Sequence, residues 1–94
     1  RNLPMTARTV AVASAVGLHA RPANLFVKEV AAHGIPVTIG RPGGKAVNAA
    51  SLLGVMSLGL KHGEEAELSS TADGADEALD ALVAFLEVDH DATS

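Results

Sequence analysis

The chain contains no cysteine, tryptophan or tyrosine among its 94 residues. The lack of cysteine excludes disulfide bonds and thiolate metal sites, and it suits a reducing cytoplasm. Phe26 and Phe85 are the only aromatic residues, so the core must be built from aliphatic side chains. No apolar run approaches the roughly 18 residues that a membrane-spanning helix needs. We therefore expect a cytoplasmic location.

Basic residues are also scarce, and the formal net charge is −4. Proteins that bind nucleic acids need a basic face, so this balance excludes that class. A chain of this length suits one two-layer domain with little room for a deep enclosed pocket. We expect a single domain over residues 5–88. Residues 1–4 are interpreted as a cloning remnant before a natural start at Met5, and residues 89–94 as a flexible tail.

Apolar periodicity predicts the element order β-α-β-β-α-β-α. The predicted strands cover residues 6–14, 35–39, 45–48 and 65–68, and the predicted helices cover residues 20–33, 52–58 and 75–87. The first helix carries an apolar stripe of Ala23, Phe26, Val27, Val30 and Ala31. Gly34 is predicted to end it and Ser51 to cap the second helix. Short, half-polar strands favour a two-layer α+β domain whose sheet has one wet face and one face covered by helices.

The segment Gly17-Leu18-His19-Ala20-Arg21-Pro22-Ala23 carries the most chemistry. His19 lies just before the first predicted helix, where free backbone N–H groups favour an anion. A neutral imidazole nitrogen is a nucleophile at neutral pH, and Arg21 could neutralise a phosphoryl group attached to it. The segment therefore predicts a surface site for a phosphohistidine. The alternative is a histidine that merely caps a helix.

The same segment closely resembles the phosphorylation-site motif of the HPr family, the phosphocarriers of the bacterial sugar phosphotransferase system. A second block over residues 47–59, VNAASLLGVMSLG, resembles the regulatory-serine region of that family. The resemblance extends from about Met5 to Glu87 in length and element order. It implies an α+β open-faced β-sandwich with a four-stranded antiparallel sheet of order 1-4-2-3 and three helices on one face.

The resemblance also implies roles for individual residues. His19 would be phosphorylated on Nδ1, with Arg21 and the backbone amides of Ala20 and Arg21 binding the phosphate. Ser51 falls on the serine that an ATP-dependent kinase modifies in many Gram-positive members. The family accepts phosphate from enzyme I and donates it to IIA components of sugar permeases. We therefore expect a monomeric phosphoryl carrier without a cofactor, and not a self-contained enzyme.

The predicted second helix is more apolar than a short amphipathic helix requires, which suggests an exposed patch beside His19. We assign partner binding to Leu52, Leu53 and Met56, together with Ala20, Asn24 and Lys28 from the first helix. The alternative is that the apolar residues all belong to the core. Lys28 could equally be a plain solvated lysine.

The remaining motifs of the sequence indicate no further catalytic or metal-binding site. The segment 41–45 is not a phosphate-binding loop, because Ile39 stands where the first glycine is required and Ala46 where Ser or Thr is required. His33, His62 and His90 are too scattered for a metal site. A rival function is a regulatory module that is phosphorylated on Ser51 by a serine kinase and binds a transcriptional regulator. A third is a phosphocarrier for a nitrogen-related or dihydroxyacetone branch.

Overall fold

A computed structural model describes residues 5–89. The elements are β1 (Thr6–Ala11), α1 (Ala20–His33), β2 (Thr38–Gly40), β3 (Ala46–Asn48), α2 (Leu52–Ser57), β4 (Glu65–Ser70) and α3 (Ala75–Leu86). The predicted element order is confirmed. The interpretation of residues 1–4, and that of residues 90–94 within the predicted tail, concerns parts of the chain outside the described residues.

The four strands form one antiparallel sheet with the order β1-β4-β2-β3. β4 pairs with β1 on one side and with β2 on the other, so Ser69 lies between Ala7 and Thr38. β3 pairs only with β2, where Thr38 faces Asn48. This is the α+β fold and strand order that the resemblance implied.

The helices cover one face of this sheet and enclose the core. Side chains that are 5% exposed or less come from both layers, among them Val10, Ile39 and Leu68 of the sheet and Phe26, Val30, Leu79 and Leu82 of the helices. The rings of Phe26 and Phe85 lie 6.4 Å apart between centroids. Alternate strand residues such as Ala7, Thr9 and Thr38 are exposed on the opposite face. The predicted wet and covered faces are confirmed.

The bounds of α1 and its Gly34 C-cap are as predicted. Ala31, however, is exposed, so the apolar stripe is narrower than the periodicity suggested. α2 begins after Ser51 as predicted and ends at Ser57, with Leu58 as its C-cap.

Five strand bounds differ from the prediction, two of them by a single residue, since β2 ends at Gly40 and β3 starts at Ala46. β1 stops at Ala11 because Val12 donates to Glu64 but accepts from Gly63, which inserts an extra residue as in a β-bulge. β2 starts only at Thr38, since Pro36 has no N–H and therefore cannot donate to a ladder. β4 continues to Ser70, which pairs with Thr6.

Candidate phosphorylation site

His19 occupies the N-cap position of α1 with an extended backbone, φ −141° and ψ 154°. Its side chain is exposed and makes no capping hydrogen bond. The alternative in which the imidazole caps the helix is therefore wrong. The ring stands at the positive end of a 14-residue helix, where the backbone dipole favours a negative group.

The first turn of α1 supplies N–H groups near His19. The amides of Ala20 and Arg21 lie at the first two helical positions, which have no intrahelical acceptor. Pro22 follows at the third position and has no N–H to leave unpaired. Two backbone N–H groups without an intrahelical acceptor therefore follow His19 directly in the chain.

Ala20 has φ +51° and is the only non-glycine residue of positive φ in the described range 5–89. A left-handed conformation costs an L-residue roughly 1–2 kcal/mol. The chain therefore turns sharply at the residue next to His19.

Gly17 and Leu18 fix the backbone that leads to His19. Leu18 is 1% exposed, and its amide donates to the carbonyl oxygen of Leu60 over 2.8 Å. Gly17 has φ +75°, and a Cβ atom there would lie 2.4 Å from the same oxygen. The chain can approach Leu60 this closely only because residue 17 is glycine.

Arg21, Asn24 and Lys28 are exposed and follow one another at i, i+3 and i+7 along α1. That spacing places them on one side of the helix. Within residues 5–89 no ion pair engages the guanidinium of Arg21. The predicted polar residues of α1 therefore form an accessible face that continues from His19.

Ser51 caps α2 as predicted: its Oγ accepts a hydrogen bond from the Gly54 amide over 3.1 Å. The helix buries Val55 and packs against α1. Leu53 is 81% exposed and Leu52 is 37% exposed. Met56 is half-buried and packs against the core. The alternative that assigned every apolar residue here to the core is wrong for Leu53, whereas Met56 is partly buried against the core.

Sequence reasoning missed the side chains that hold the loop between α2 and β4. Arg41 lies in a predicted turn, yet it bonds Glu64 through Nε (3.2 Å) and Nη2 (2.9 Å). The guanidinium hydrogen bond is the main reason that the pKa of Glu64 falls below its ordinary value, and the Lys61 amide adds to the effect. The same hydrogen bond raises the pKa of Arg41. A partner 23 residues away leaves no local pattern in the sequence.

A shallow cleft of about 180 Å³ lies elsewhere, at the start of β1. Its lining consists of Met5, Pro36, Thr38, Ser69, Ser70 and Thr71. Neither His19 nor Arg21 borders it, so the candidate chemistry lies on the surface. Among the described residues no group of three or more His, Cys, Asp or Glu side chains could hold a metal ion. No helix within the same residues is long and apolar enough to cross a membrane.

Comparison with known proteins agrees with this geometry. The family model described as the PTS HPr component phosphorylation site matches residues 6–88. The phosphocarrier protein HPr of Streptomyces coelicolor is 53% identical over 78 residues, which cover 83% of this chain and 84% of that protein.

Solved structures show the same fold. A crystal structure of HPr from Bacillus anthracis superposes with a TM-score of 0.81 at 39% identity, covering 87% of this chain and 96% of that one. The catabolite repression protein Crh of Bacillus subtilis superposes with a TM-score of 0.69 at 39% identity, covering 85% and 91%. Its crystal structure is described as a dimer with a swapped domain, so the predicted monomer stays a prediction. From the family match, the relatives and the shared strand order, the chain belongs to the HPr family of phosphocarrier proteins.

Proposed function

We propose that this protein accepts a phosphoryl group on His19 from phospho-enzyme I and passes it to the IIA components of sugar permeases in the cytoplasm. The observation that carries the proposal is the exposed imidazole of His19, free of a capping bond, at the N-terminal end of α1. Membership of the phosphocarrier family supports the same chemistry.

In the proposed reaction the neutral Nδ1 of His19 attacks the phosphorus of phospho-enzyme I. A nitrogen–phosphorus bond forms on His19 as the bond between phosphorus and the donor group breaks. The proton on Nε2 of His19 is released as this bond forms, and the departing donor group takes up a proton, directly or through water. The amides of Ala20 and Arg21 and the guanidinium of Arg21 bind the phosphoryl oxygens. Charge-assisted hydrogen bonds of this kind are the strong ones.

Phosphoryl transfer needs mainly positioning and charge stabilisation, which a surface site can provide. The partner supplies the group that gives or accepts the phosphoryl group, together with much of the remaining machinery of the site. Leu52, Leu53 and Met56, together with Ala20, Asn24 and Lys28, form the proposed docking surface around His19. Leu52 and Leu53 are adjacent and both exposed, and an exposed apolar patch rimmed by polar residues marks an interaction site.

The direct test is to incubate the protein with enzyme I and phosphoenolpyruvate and to measure its mass before and after acid treatment. We expect the mass of one acid-labile phosphoryl group on the wild type and on the control His33→Ala, at the far end of α1, and none on His19→Ala. Arg21→Ala should slow transfer roughly 10- to 100-fold, as expected for one hydrogen bond to a charged group. Labelling of His19→Ala would refute the assignment.

A second function is favoured by the similarity to Crh, which is described as a catabolite repression protein. In this alternative a kinase phosphorylates Ser51, and the product binds a transcriptional regulator. A phosphate there would add about −1.5 to −2 charge beside the docking surface. Incubation of the wild type and Ser51→Ala with a serine kinase and ATP separates the functions, because a regulatory phosphate would be acid-stable and absent from Ser51→Ala.

A further inference from the structure

We propose that Arg41 and Glu64 are positioning residues for the phosphorylation site. Together they shape the loop over residues 58–64, and the Leu60 carbonyl of that loop holds the backbone just before His19. The inference rests on the proposed function of His19 and adds residues that lie outside the His19 motif.

Arg41 lies just after β2 and reaches the C-terminal end of α2. Its Nη1 donates to the carbonyl oxygen of Leu58 over 2.7 Å, and its Nη2 donates to that of Gly59 over 3.2 Å. The last carbonyl groups of a helix have no intrahelical donor. Arg41 therefore satisfies two carbonyl groups at the point where α2 gives way to the loop.

Glu64 fixes both the guanidinium and the loop. Its carboxylate accepts two hydrogen bonds from Arg41, which is the geometry of a bidentate pair. Oε1 also accepts from the Lys61 amide over 2.8 Å. The Glu64 amide in turn donates to the Lys61 carbonyl over 3.0 Å. One arginine and one carboxylate thus close the turn over residues 61–64.

The closed turn supports the segment that leads to His19. The Gly63 amide donates to the Val12 carbonyl over 2.8 Å. The Nδ1 atom of His62 lies 3.2 Å from the carbonyl oxygens of Ala13 and Ser14. A hydrogen on Nδ1 would therefore be shared between the two oxygens. These contacts join the loop to the first half of the segment.

The contact between Leu18 and Leu60 joins the loop to the residue directly before His19. Leu60 lies inside the loop, 2% exposed, and its carbonyl accepts the Leu18 amide over 2.8 Å. Gly17 packs against the same carbonyl. A shift of the loop therefore moves Leu18, and with it the backbone of His19. Misplacement of a reacting group by about 1 Å can cost about 100-fold in rate.

Stabilising the fold is not the main role of the ion pair between Arg41 and Glu64. The two side chains are 43% and 37% exposed, and exposed ion pairs contribute little to folding. Its contacts are directed instead at the backbone of the loop. A second partly exposed arginine is held by carboxylates elsewhere in the fold, where Arg8 binds Asp76 and Asp80 and joins β1 to α3. The hydrogen bonds of Arg8 go to Ala7, Asp76 and Asp80, and within residues 5–89 none of them reaches residues 12–19, so Arg8 serves as the control.

The experiment compares Arg41→Gln and Glu64→Gln with the control Arg8→Gln in the full chain. Hydrogen exchange at the Leu18 amide is measured on the unphosphorylated protein, and phosphoryl transfer from phospho-enzyme I is measured at a temperature where every variant is folded. We expect exchange to be about tenfold faster and transfer about tenfold slower in Arg41→Gln and Glu64→Gln, and neither to change in Arg8→Gln. Arg41→Lys should be intermediate, because lysine keeps the charge but not the planar fork.

Equal effects of Arg41→Gln and Arg8→Gln on Leu18 exchange would overturn the proposal, and so would unchanged transfer in both Arg41→Gln and Glu64→Gln. Glu64→Gln has nearly the shape of the wild type and provides the test if Arg41→Gln does not fold. A wild type that takes no phosphate on His19 would refute the proposed function. The comparison of Leu18 exchange would still decide whether Arg41 and Glu64 position the backbone.

Discussion

The amide of Leu18 and the carbonyl oxygen of Leu60 form a 2.8 Å hydrogen bond between two residues that are 1% and 2% exposed. A buried amide without a partner would cost roughly 1–3 kcal/mol, so this bond constrains the chain strongly. It joins the residue before His19 to a loop that lies more than 40 positions later in the sequence. The candidate phosphorylation site is therefore built by tertiary contacts as well as by its own motif.

Gly17→Ala is expected to lower the free energy of unfolding by about 2–4 kcal/mol, measured by urea denaturation. The new Cβ would lie 2.4 Å from the Leu60 oxygen, at a φ of +75°. Gly34→Ala is the control, since its φ is +70° but a Cβ there meets nothing within 4 Å. That variant should lose only about 1 kcal/mol from the backbone conformation. Equal losses in the two variants would argue against the close approach.

Leu53→Ser should leave the free energy of unfolding within about 0.5 kcal/mol of the wild type, because Leu53 is 81% exposed. Its affinity for enzyme I should fall about tenfold if Leu53 is a docking residue, as measured by calorimetry. Val55 is a buried residue of the same helix, so its truncation should affect stability and not binding. Val55→Ala should lose about 2 kcal/mol of stability and keep its affinity wherever it is folded. Unchanged affinity of Leu53→Ser would remove this leucine from the docking surface.

Ser51→Ala is expected to cost about 1 kcal/mol of unfolding free energy, because the Gly54 amide loses its capping acceptor. Ser51→Asp should retain most of that stability, since aspartate caps helices about as well as serine. Ser57→Ala removes an exposed hydroxyl at the other end of α2 and should cost less than Ser51→Ala. Thermal unfolding of the three variants gives the ranking. A ranking in which aspartate is as poor as alanine would contradict the capping role.

The pair between Arg41 and Glu64 should make stability depend on pH. Arg41 lowers the pKa of Glu64 in the folded protein. The stabilisation that the Arg41–Glu64 pair gives the folded protein is therefore complete above the unfolded carboxylate pKa of about 4.3. It is lost as pH falls through the lower pKa that Glu64 has in the folded protein. We expect Arg41→Gln to be less stable than the wild type at about pH 7 and the difference to shrink below about pH 4. Urea denaturation across this range measures it. A difference independent of pH would show that the carboxylate is not involved.

Local patterns predicted the helices better than the strands. The stripe of α1, the proline of its first turn and Gly34 all lie within the helix or beside it, so the bounds Ala20–His33 followed from the sequence. Strand bounds depend on pairing partners instead. Ser70 gave no strand signal, yet it pairs with Thr6. Its hydroxyl donates to the Pro36 carbonyl over 2.6 Å, which satisfies a buried polar group that the sequence could not assign.

The features of the candidate site also fall into those that local sequence patterns predict and those that depend on tertiary contacts. The sequence alone determined the element order, the position of His19 at a helix start, the cap at Ser51 and the family. These depend on residue types a few positions apart, where sequence spacing and spatial distance agree. Only the tertiary structure decided that Leu53 is exposed while Val55 is buried, that Leu60 holds Leu18, and that Arg41 reaches Glu64. Those contacts join distant segments through packing, and the distance between two segments in space is set by the whole fold.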